Sequence, residues 1–328
     1  MLRGRIAVVG AGAWGTALAN AAALAGNAVT LWSRDADAAA RMQASRTNAV
    51  FLPGVALHPG VSITARAEDL AGADAVLLVV PAQAVRIATA ALPPLTPDVP
   101  VVICAKGIER ESGRFLSDVV AEVRPGAAVA VLSGPSFAAD VARGLPTAVA
   151  LAAPDPAAAE ALAAALTGPT FRVYHGTDVR GVEIGGAAKN VLAIACGAVS
   201  GRGLGESARA ALTARGFAEL MRFAAAYGAR PETLMGLSGL GDVVLSCASA
   251  QSRNFAFGER LGRGIPAQEA AGGKLVEGAF TASVLVALAQ ARGIEMPIAE
   301  AVDAILAGRL GLDAAAEALM GRPVRAEH

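Results

Sequence analysis

Histidine and cysteine are scarce in this chain of 328 residues, with three of each. No two histidines lie at a metal-ligand spacing, so we expect no metal site and no histidine-based acid or base catalysis. The cysteines form no CxxC pair, which excludes a disulfide framework and a redox motif of that kind. We expect reduced, buried thiols in a cytoplasmic protein. The residues are His58, His175, His328, Cys104, Cys196 and Cys247.

An excess of either charge is also lacking, with 28 basic and 28 acidic residues and a pI near 6.9. This balance predicts no nucleic-acid partner and no membrane-surface partner. No segment beyond residue 33 is long and uncharged enough to predict a membrane span. Residues 6–33 carry no charge and follow Arg3 and Arg5, which resembles a secretory signal. Glycines interrupt this segment, so we set that interpretation aside.

Glycine is abundant, and one cluster is informative. The apolar run 6–9 is followed by Gly10-Ala11-Gly12-Ala13-Trp14-Gly15, then by an alanine-rich helical pattern and a second apolar run, 28–32. A strand, a GxGxxG turn, a helix and a strand predict a dinucleotide-binding βαβ unit. Gly10 permits the tight turn, Gly12 lets a pyrophosphate approach, and Gly15 lets the helix pack closely on the strand.

The end of the second strand bears on the choice of cofactor. A carboxylate there would bind the adenine ribose hydroxyls and favour NAD. This chain has Ser33 and Arg34, which suit a 2′-phosphate better, and then Asp35. We expect NADPH as the preferred cofactor with NADH tolerated, although Arg34 could equally be a solvated surface charge.

Apolar runs and helical patterns alternate further along the chain. The runs 75–80, 99–104, 128–132, 147–152 and 170–174 are predicted as strands, and helical patterns dominate after residue 182. The sequence therefore predicts an α/β fold with an N-terminal doubly wound Rossmann-type sheet and an all-helical C-terminal domain. We place the dinucleotide-binding domain at 1–179 and the helical substrate and catalytic domain at 180–328.

Two lysines are candidates for chemistry. Lys106 follows the run 99–104, so it is expected to project from the carboxyl end of a strand towards the cofactor. Lys189 and Asn190 interrupt a small, apolar helical pattern. Lysine is rarely buried without a partner. A buried lysine beside a second cation loses its proton more readily and can act as a general base, and Lys106 could be that cation.

Two loops complete the candidate set. Ser133-Gly134-Pro135-Ser136-Phe137-Ala138 follows a strand and can bring backbone amides to a ligand. The segment 236–242 is a glycine loop that ends in Asp242, and Ser252-Arg253-Asn254 follows it. The planar guanidinium of Arg253 suits a phosphate. Asp242 could orient Lys189 or accept a hydrogen bond from a substrate hydroxyl.

These motifs, in this order, resemble the bacterial-type NAD(P)-dependent glycerol-3-phosphate dehydrogenases. The resemblance rests on GAGAWGTALA from Gly10, AKGIE from Ala105, SGPSFA from Ser133, EIGGAAKN from Glu183, GLSGLGD from Gly236 and SRNFAFG from Ser252. It implies reduction of dihydroxyacetone phosphate to sn-glycerol 3-phosphate for glycerophospholipid synthesis. It also implies a cytoplasmic homodimer, with the active site between a dinucleotide domain and a helical domain.

The resemblance implies roles for individual residues. Lys189 looks like the catalytic proton donor or acceptor, with Lys106 and Asp242 beside it in the catalytic set. The implied substrate contacts are Lys106, Gly134, Ser136, Lys189, Asn190, Asp242, Ser252, Arg253 and Asn254. The implied cofactor contacts are Gly10, Gly12, Ala13, Trp14, Gly15, Arg34, Lys106, Ala138, Arg253, Leu275 and Glu277.

Two departures and two rival interpretations remain. Glu206-Ser207 stands where the family more often has an Asn-containing pair, and Phe255-Ala256-Phe257 stands where a basic residue is common.

One rival is a related two-domain hydroxy-acid dehydrogenase, which the Ser-Arg-Asn segment and the glycine-Asp loop disfavour. The other is a non-catalytic NAD(H)-binding redox sensor, which would not need Lys189 or Asp242.

Overall fold

The computed structural model describes residues 4–96 and 98–323. Within these residues eight strands form one sheet. The strands are β1 (Arg5–Val9), β2 (Ala28–Trp32), β3 (Val61–Thr64), β4 (Ala75–Leu78), β5 (Val101–Ile103), β6 (Val129–Ser133), β7 (Thr147–Ala152) and β8 (Phe171–Gly176). Their order is β3-β2-β1-β4-β5-β6-β7-β8. The switch point lies between β1 and β4, where open α/β sheets bind ligands beyond the carboxyl ends of their strands.

Strand direction and burial explain the sheet. The strands β1 to β6 are parallel, while β7 is antiparallel to β6 and β8 is parallel to β7. Ile6 and Val8 of β1 join the hydrophobic core on one face, and Ala7 and Val9 join the core on the other. Both faces are therefore covered, which is why these strands are near-continuous apolar runs.

Helices lie in most connections between the strands, and among the described residues after β8 the regular elements are all helical. They are α1 (Ala13–Leu24), α2 (Ala36–Ser45), α3 (Val85–Ala90), α4 (Leu116–Val123), α5 (Ala138–Ala142), α6 (Pro156–Leu166), α7 (Val179–Gly201), α8 (Glu206–Ala226), α9 (Pro231–Met235), α10 (Asp242–Cys247), α11 (Arg253–Gly262), α12 (Ala267–Ala270), α13 (Glu277–Gln290), α14 (Pro297–Leu306) and α15 (Leu312–Met320). A π-helical turn, Leu237–Gly241, leads into α10.

The predicted fold class is confirmed, and most predicted strands are found. Strands β2 and β7 have the predicted bounds, and the other predicted strands are shifted or shortened by a few residues. Strand β3 was missed because its four residues, VSIT, give too short an alternation to stand out. No strand follows β8 among the residues up to 323, as the helical C-terminal pattern predicts.

Contacts group the described residues into two compact units. The first contains residues up to 186 together with 228–242, and the second contains 187–227 and the residues from 243 onward. The second unit has no strand among its described residues. Helix α7 begins in the first unit and ends in the second. The domain boundary between residues 179 and 180 stays a prediction.

Helix α7 corrects one expectation. The sequence analysis predicts no membrane span beyond residue 33. By length and composition alone, however, the 23 residues of α7 could cross a membrane, with a mean hydropathy of 1.4 over the apolar window. However, 94% of that window is buried inside the protein. Its apolar character is therefore that of a core helix. The three cysteines are buried, as predicted.

Candidate active site

The glycine turn between β1 and α1 has the shape that a dinucleotide needs. Gly10 has a φ of +116°, and a Cβ there would lie 2.6 Å from the Val79 carbonyl oxygen. A Cβ on Gly15 would lie 1.8 Å from the Gly10 carbonyl oxygen. A Cβ on Gly12 would meet nothing within 4 Å. Fold packing therefore explains two of these glycines, whereas Gly12 borders open space that a pyrophosphate can enter.

The first turn of α1 is also suited to an anion. Gly12 is its N-cap and provides no side-chain cap, and the turn contains no acidic residue. The free N–H groups and the helix dipole there favour a negatively charged ligand. The residues present thus fit the phosphates of a dinucleotide. Ala13 and Trp14, both predicted cofactor contacts, open this helix.

Asn48 holds the turn in place, and sequence reasoning missed it. Its buried side-chain amide donates hydrogen bonds to the Ala11 carbonyl oxygen at 2.9 Å and to the Thr16 hydroxyl at 2.8 Å. Asn48 thereby joins the loop after α2 to the glycine turn. Its partners lie 32 and 37 residues earlier in the chain, so no local pattern could have identified it.

The residues after β2 have different environments. Ser33 is buried, whereas Arg34 is exposed and makes no ion pair with the described part of the chain. The Asp35 carboxylate accepts a hydrogen bond from the Ala38 amide at 2.9 Å and caps α2. Asp35 therefore has a structural task, and Arg34 presents its charge to solvent.

The first unit contains a polar cluster built on Lys106 and Asp242. The Lys106 ammonium donates hydrogen bonds to the Asp242 carboxylate at 2.5 Å and to the Gly134 carbonyl oxygen at 2.9 Å. The Ser136 hydroxyl donates to the same carbonyl at 3.0 Å. Lys106 follows β5 and Gly134 follows β6, so neighbouring parallel strands bring them together. The Lys106–Asp242 pair was not foreseen, because 136 residues separate the two.

Local packing fixes both ends of this cluster. Asp242 is 1% exposed and follows the π-helical turn, in which a Cβ on Gly239 would lie 2.0 Å from the Leu234 carbonyl oxygen. Downstream of Lys106, the Glu109 carboxylate accepts hydrogen bonds from Arg86 at 2.8 and 2.9 Å. The guanidinium of Arg86 holds the pKa of Glu109 below its usual value. The AKGIE loop is thus braced by an ion pair behind Lys106.

The second unit contains a polar cluster built on Lys189. Lys189 is 7% exposed, and its ammonium donates a hydrogen bond to the Ser246 hydroxyl at 2.6 Å. Asn254 donates to the Asn190 side-chain oxygen at 2.9 Å and accepts from the Gly278 amide at 3.0 Å. Sequence reasoning missed Ser246, although it lies one helical turn after Asp242 on α10, and that spacing could have indicated it.

Glycines let α7 and α11 approach until their backbones touch. A Cβ on Gly197 of α7 would lie 2.1 Å from the Phe255 carbonyl oxygen. A Cβ on Gly258 of α11 would lie 2.0 Å from the Ile194 carbonyl oxygen. Gly201 and Gly262, four residues further on in each helix, are equally confined. This contact fixes the start of α11, where Ser252, Arg253 and Asn254 lie, against the helix that carries Lys189.

The start of α11 combines a helix end with a cation. The Ser252 hydroxyl accepts a hydrogen bond from the Phe255 amide at 3.3 Å and caps the helix. Arg253 is exposed and forms no ion pair within the described residues, while Asn254 is buried. Helix N-termini and guanidinium groups both bind phosphate.

The remaining predicted residues are divided between the units. Ala138 opens α5 in the first unit, and Leu275 and Glu277 lie at the start of α13 in the second. The structure thus brings the glycine turn, Arg34, Lys106, Gly134, Ser136, Ala138 and Asp242 into the first unit. It brings Lys189, Asn190, Ser252, Arg253, Asn254, Leu275 and Glu277 into the second. Within the described residues no cluster of His, Cys, Asp and Glu could hold a metal ion.

Comparisons with known proteins identify the family. Two family models match, the NAD-dependent glycerol-3-phosphate dehydrogenase N-terminus over residues 5–159 and its C-terminus over residues 178–317. Glycerol-3-phosphate dehydrogenase (NAD(P)+) of Methylobacterium radiotolerans is 67% identical over 324 residues, and that of Azorhizobium caulinodans is 64% identical; each alignment covers 98% of both chains.

Solved structures extend the comparison to the fold. The crystal structure of glycerol-3-phosphate dehydrogenase from Coxiella burnetii superposes with a TM-score of 0.91 at 39% identity, covering 98% of this chain and 99% of that one. A ketopantoate reductase from Ralstonia eutropha, at 22% identity and a TM-score of 0.60, shares the fold alone. The chain belongs to the NAD-dependent glycerol-3-phosphate dehydrogenase family.

Proposed function

We propose that this chain reduces dihydroxyacetone phosphate to sn-glycerol 3-phosphate with NADPH, and more slowly with NADH. The observation that carries the proposal is a pair of lysines in two polar clusters, Lys106 on Asp242 and Lys189 on Ser246. Arginine supplies nearly all of the other positive charge of the chain, and Lys274 is the one further lysine. A lysine ammonium can transfer a proton, which an arginine does poorly, so Lys106 and Lys189 are suited to proton chemistry.

The glycine turn and the first turn of α1 would hold the dinucleotide, which when bound would supply the hydride for the ketone carbon. Lys189, held by Ser246, gives its proton to the oxygen that gains negative charge. The Lys106 ammonium stabilises that charge, and Asp242 fixes its position. Arg253, Asn254 and the amides of the first turn of α11 hold the phosphate, so binding energy remote from the carbonyl orients the reacting atoms. The exposed Arg34 binds the adenosine 2′-phosphate.

The test is the loss of reduced-nicotinamide absorbance with dihydroxyacetone phosphate, run in parallel with NADPH and NADH. We expect turnover with both cofactors and a higher kcat/KM with NADPH. Dihydroxyacetone, which lacks the phosphate, is the matched control substrate and should react far more slowly. Absence of turnover in protein that binds NADPH would exclude this substrate, and turnover of an unphosphorylated 2-keto acid instead would identify a hydroxy-acid dehydrogenase.

The cellular setting is part of the same proposal. We infer a homodimer in the cytoplasm that supplies sn-glycerol 3-phosphate to glycerophospholipid synthesis. The few cysteines and the absence of a CxxC pair in the sequence are typical of a protein of a reducing compartment. Sedimentation of the purified chain measures the oligomeric state, and a monomer at micromolar concentration would contradict the dimer.

A further inference from the structure

The loop between α2 and β3 has an exposed apolar tip. Val50 and Phe51 lie at this tip, with exposed fractions of 76% and 60%. The other eight phenylalanines of the chain are buried or half-buried. An exposed aromatic side chain costs hydrophobic free energy, because its apolar surface stays in water. Single exposed apolar side chains are ordinary, but two adjacent ones at one tip form a candidate contact surface.

Hydrogen bonds at the base of the loop hold its tip in a fixed position. The Arg46 guanidinium donates to the His58 carbonyl oxygen at 2.6 Å, and the Leu57 amide donates to the Arg46 carbonyl oxygen at 2.7 Å. The Asn20 side chain of α1 donates to the Ala56 carbonyl oxygen and accepts from the His58 amide, both at 2.9 Å. A contact surface that is already ordered loses little conformational entropy when a ligand covers it.

One side-chain amide joins this tip to the glycine turn. The Asn48 Nδ2 atom donates to the Ala11 carbonyl oxygen at 2.9 Å, and its Oδ1 atom accepts from the Phe51 amide at 3.4 Å. The Leu52 amide donates to the Asn48 carbonyl oxygen at 2.8 Å, and the Leu52 side chain is buried in the core. Gly12, which follows Ala11, borders open space. The exposed tip therefore adjoins the turn at which a pyrophosphate can enter.

We propose that Phe51 and Val50 form an apolar wall over the pyrophosphate and the adjoining riboses of the bound dinucleotide. This inference rests on the dinucleotide site of the proposed function. The wall excludes water from the phosphate oxygens, and hydrogen bonds from the amides of the first turn of α1 are stronger where water is excluded. The Phe51 ring also buries apolar surface against the ligand. NADPH and NADH share this part of their structure, so the wall stabilises both equally, whereas Arg34 meets only the 2′-phosphate of NADPH.

The first experiment measures the Kd of NADPH and of NADH by calorimetric titration of the full-length protein without substrate. Phe51→Ala should raise both Kd values about tenfold, by factors that agree within about twofold. Phe51→Leu keeps most of the apolar surface and should raise them by less than about threefold. Because the Phe51 side chain is exposed, Phe51→Ala should keep the Tm of the wild type when no ligand is present. Tyr174→Ala is the matched control, since Tyr174 is an exposed aromatic residue on the edge strand β8, and it should leave both Kd values unchanged.

A second experiment locates the side chain directly. Phe51→Trp places an indole at the tip, where acrylamide should quench its fluorescence in the protein without ligand. Bound NADP+ should protect this indole from the quencher. Tyr174→Trp should stay equally quenchable with and without NADP+. The signal of the two native tryptophans, Trp14 and Trp32, is measured in the wild type under the same conditions and subtracted.

The outcomes separate this inference from the proposed function. Unchanged Kd values in Phe51→Ala, or an indole at position 51 that acrylamide still quenches with NADP+ bound, would overturn the wall and leave the dinucleotide site standing. A rise in the Kd of NADPH alone would also overturn it, because the side chain would then act at the 2′-phosphate. If the wild type binds neither dinucleotide, the cofactor site of the proposed function fails, and the wall fails with it.

Discussion

Lys189 is the residue on which the proposed chemistry depends most. Its ammonium is buried in a helix interior and donates to the Ser246 hydroxyl, an arrangement that holds a proton at a defined position. General acids of this kind contribute about 10²–10⁴-fold to rate. Lys189→Ala should therefore lower kcat with dihydroxyacetone phosphate by at least about 100-fold. Steady-state kinetics measures this directly.

The cofactor provides the control for this variant. The glycine turn lies in the first unit and does not depend on the Lys189 side chain, so NADPH affinity measured by fluorescence titration should change by less than about twofold, which is within 0.5 kcal/mol. Lys189→Arg keeps the charge but holds its proton too tightly, and it should be nearly as slow as Lys189→Ala. A kcat within tenfold of the wild type in either variant would contradict the assigned role.

At the scale of elements, the contact of α7 with α11 is set by glycine. Gly258→Ala would place a Cβ 2.0 Å from the Ile194 carbonyl oxygen, and backbone must move to accept it. We expect a loss of about 3 kcal/mol in the free energy of unfolding, the usual scale of overpacking. Urea unfolding followed by circular dichroism measures this loss.

Gly216→Ala is the matched control. Gly216 is also buried in a helix, α8, but its Cβ would meet the Cδ2 atom of Leu192, a flexible side chain that can rotate. Alanine is the better helix former by about 1 kcal/mol, which offsets the repacking. The change in stability should therefore stay within about 1 kcal/mol. Equal losses in the two variants would show that the backbone contact is not what confines Gly258.

The start of α14 should make stability depend on pH. The buried Glu219 carboxyl on α8 accepts hydrogen bonds from the amides of Ile298 and Ala299, at 2.9 to 3.4 Å. Burial raises the pKa of Glu219 to about 7 from an ordinary 4.5. These hydrogen bonds and Arg222 oppose the shift, and Glu300 adds to it.

The sign of the effect follows from proton binding. Between pH 4.5 and 7 the folded state holds more protons at Glu219 than the unfolded state, so stability falls as pH rises through this window. The full change is about 3 kcal/mol, from 1.36 kcal/mol per pKa unit. Glu219→Gln should lack this component, whereas Glu295→Gln, at an exposed carboxylate paired with Arg322, should keep it. Parallel pH profiles for wild type and Glu219→Gln in urea unfolding would contradict the assignment.

At the scale of the whole molecule, what the sequence predicts depends on distance along the chain. The glycine turn and its flanking strands are local, so their patterns predict them. Lys106 and Gly134 could be paired because both follow adjacent parallel strands. The partners of Ser246 and Asn48 could not be predicted, since their hydrogen bonds span 57 and 32 residues, although spacing alone places Ser246 one helical turn after Asp242. Segment 228–242 also returns to the first unit, which no pattern in a helical region indicates.

Cofactor binding and global stability are linked through the glycine turn. NADPH at 100 times its Kd should raise the free energy of unfolding by about 2.7 kcal/mol. Gly12 borders open space, so Gly12→Ala should fold with a stability within about 1 kcal/mol of wild type, the scale of an N-cap change. Its methyl group occupies the side from which the pyrophosphate approaches. The same NADPH concentration should therefore stabilise this variant by less than about 1 kcal/mol, which corresponds to binding weakened by more than about 20-fold.

Gly15→Ala separates packing from cofactor binding in the same turn. Its Cβ would lie 1.8 Å from the Gly10 carbonyl oxygen, so the protein without ligand should already be destabilised by about 3 kcal/mol. Thermal unfolding of both variants, with and without NADPH, gives four values from one method. Without ligand, Gly12→Ala should unfold at the same Tm as the wild type, and NADPH should not raise that Tm. Gly15→Ala should already unfold at a lower Tm than the wild type when no ligand is present. If Gly12→Ala retains the full increase, the pyrophosphate does not pass over Gly12 and the dinucleotide lies elsewhere in the first unit.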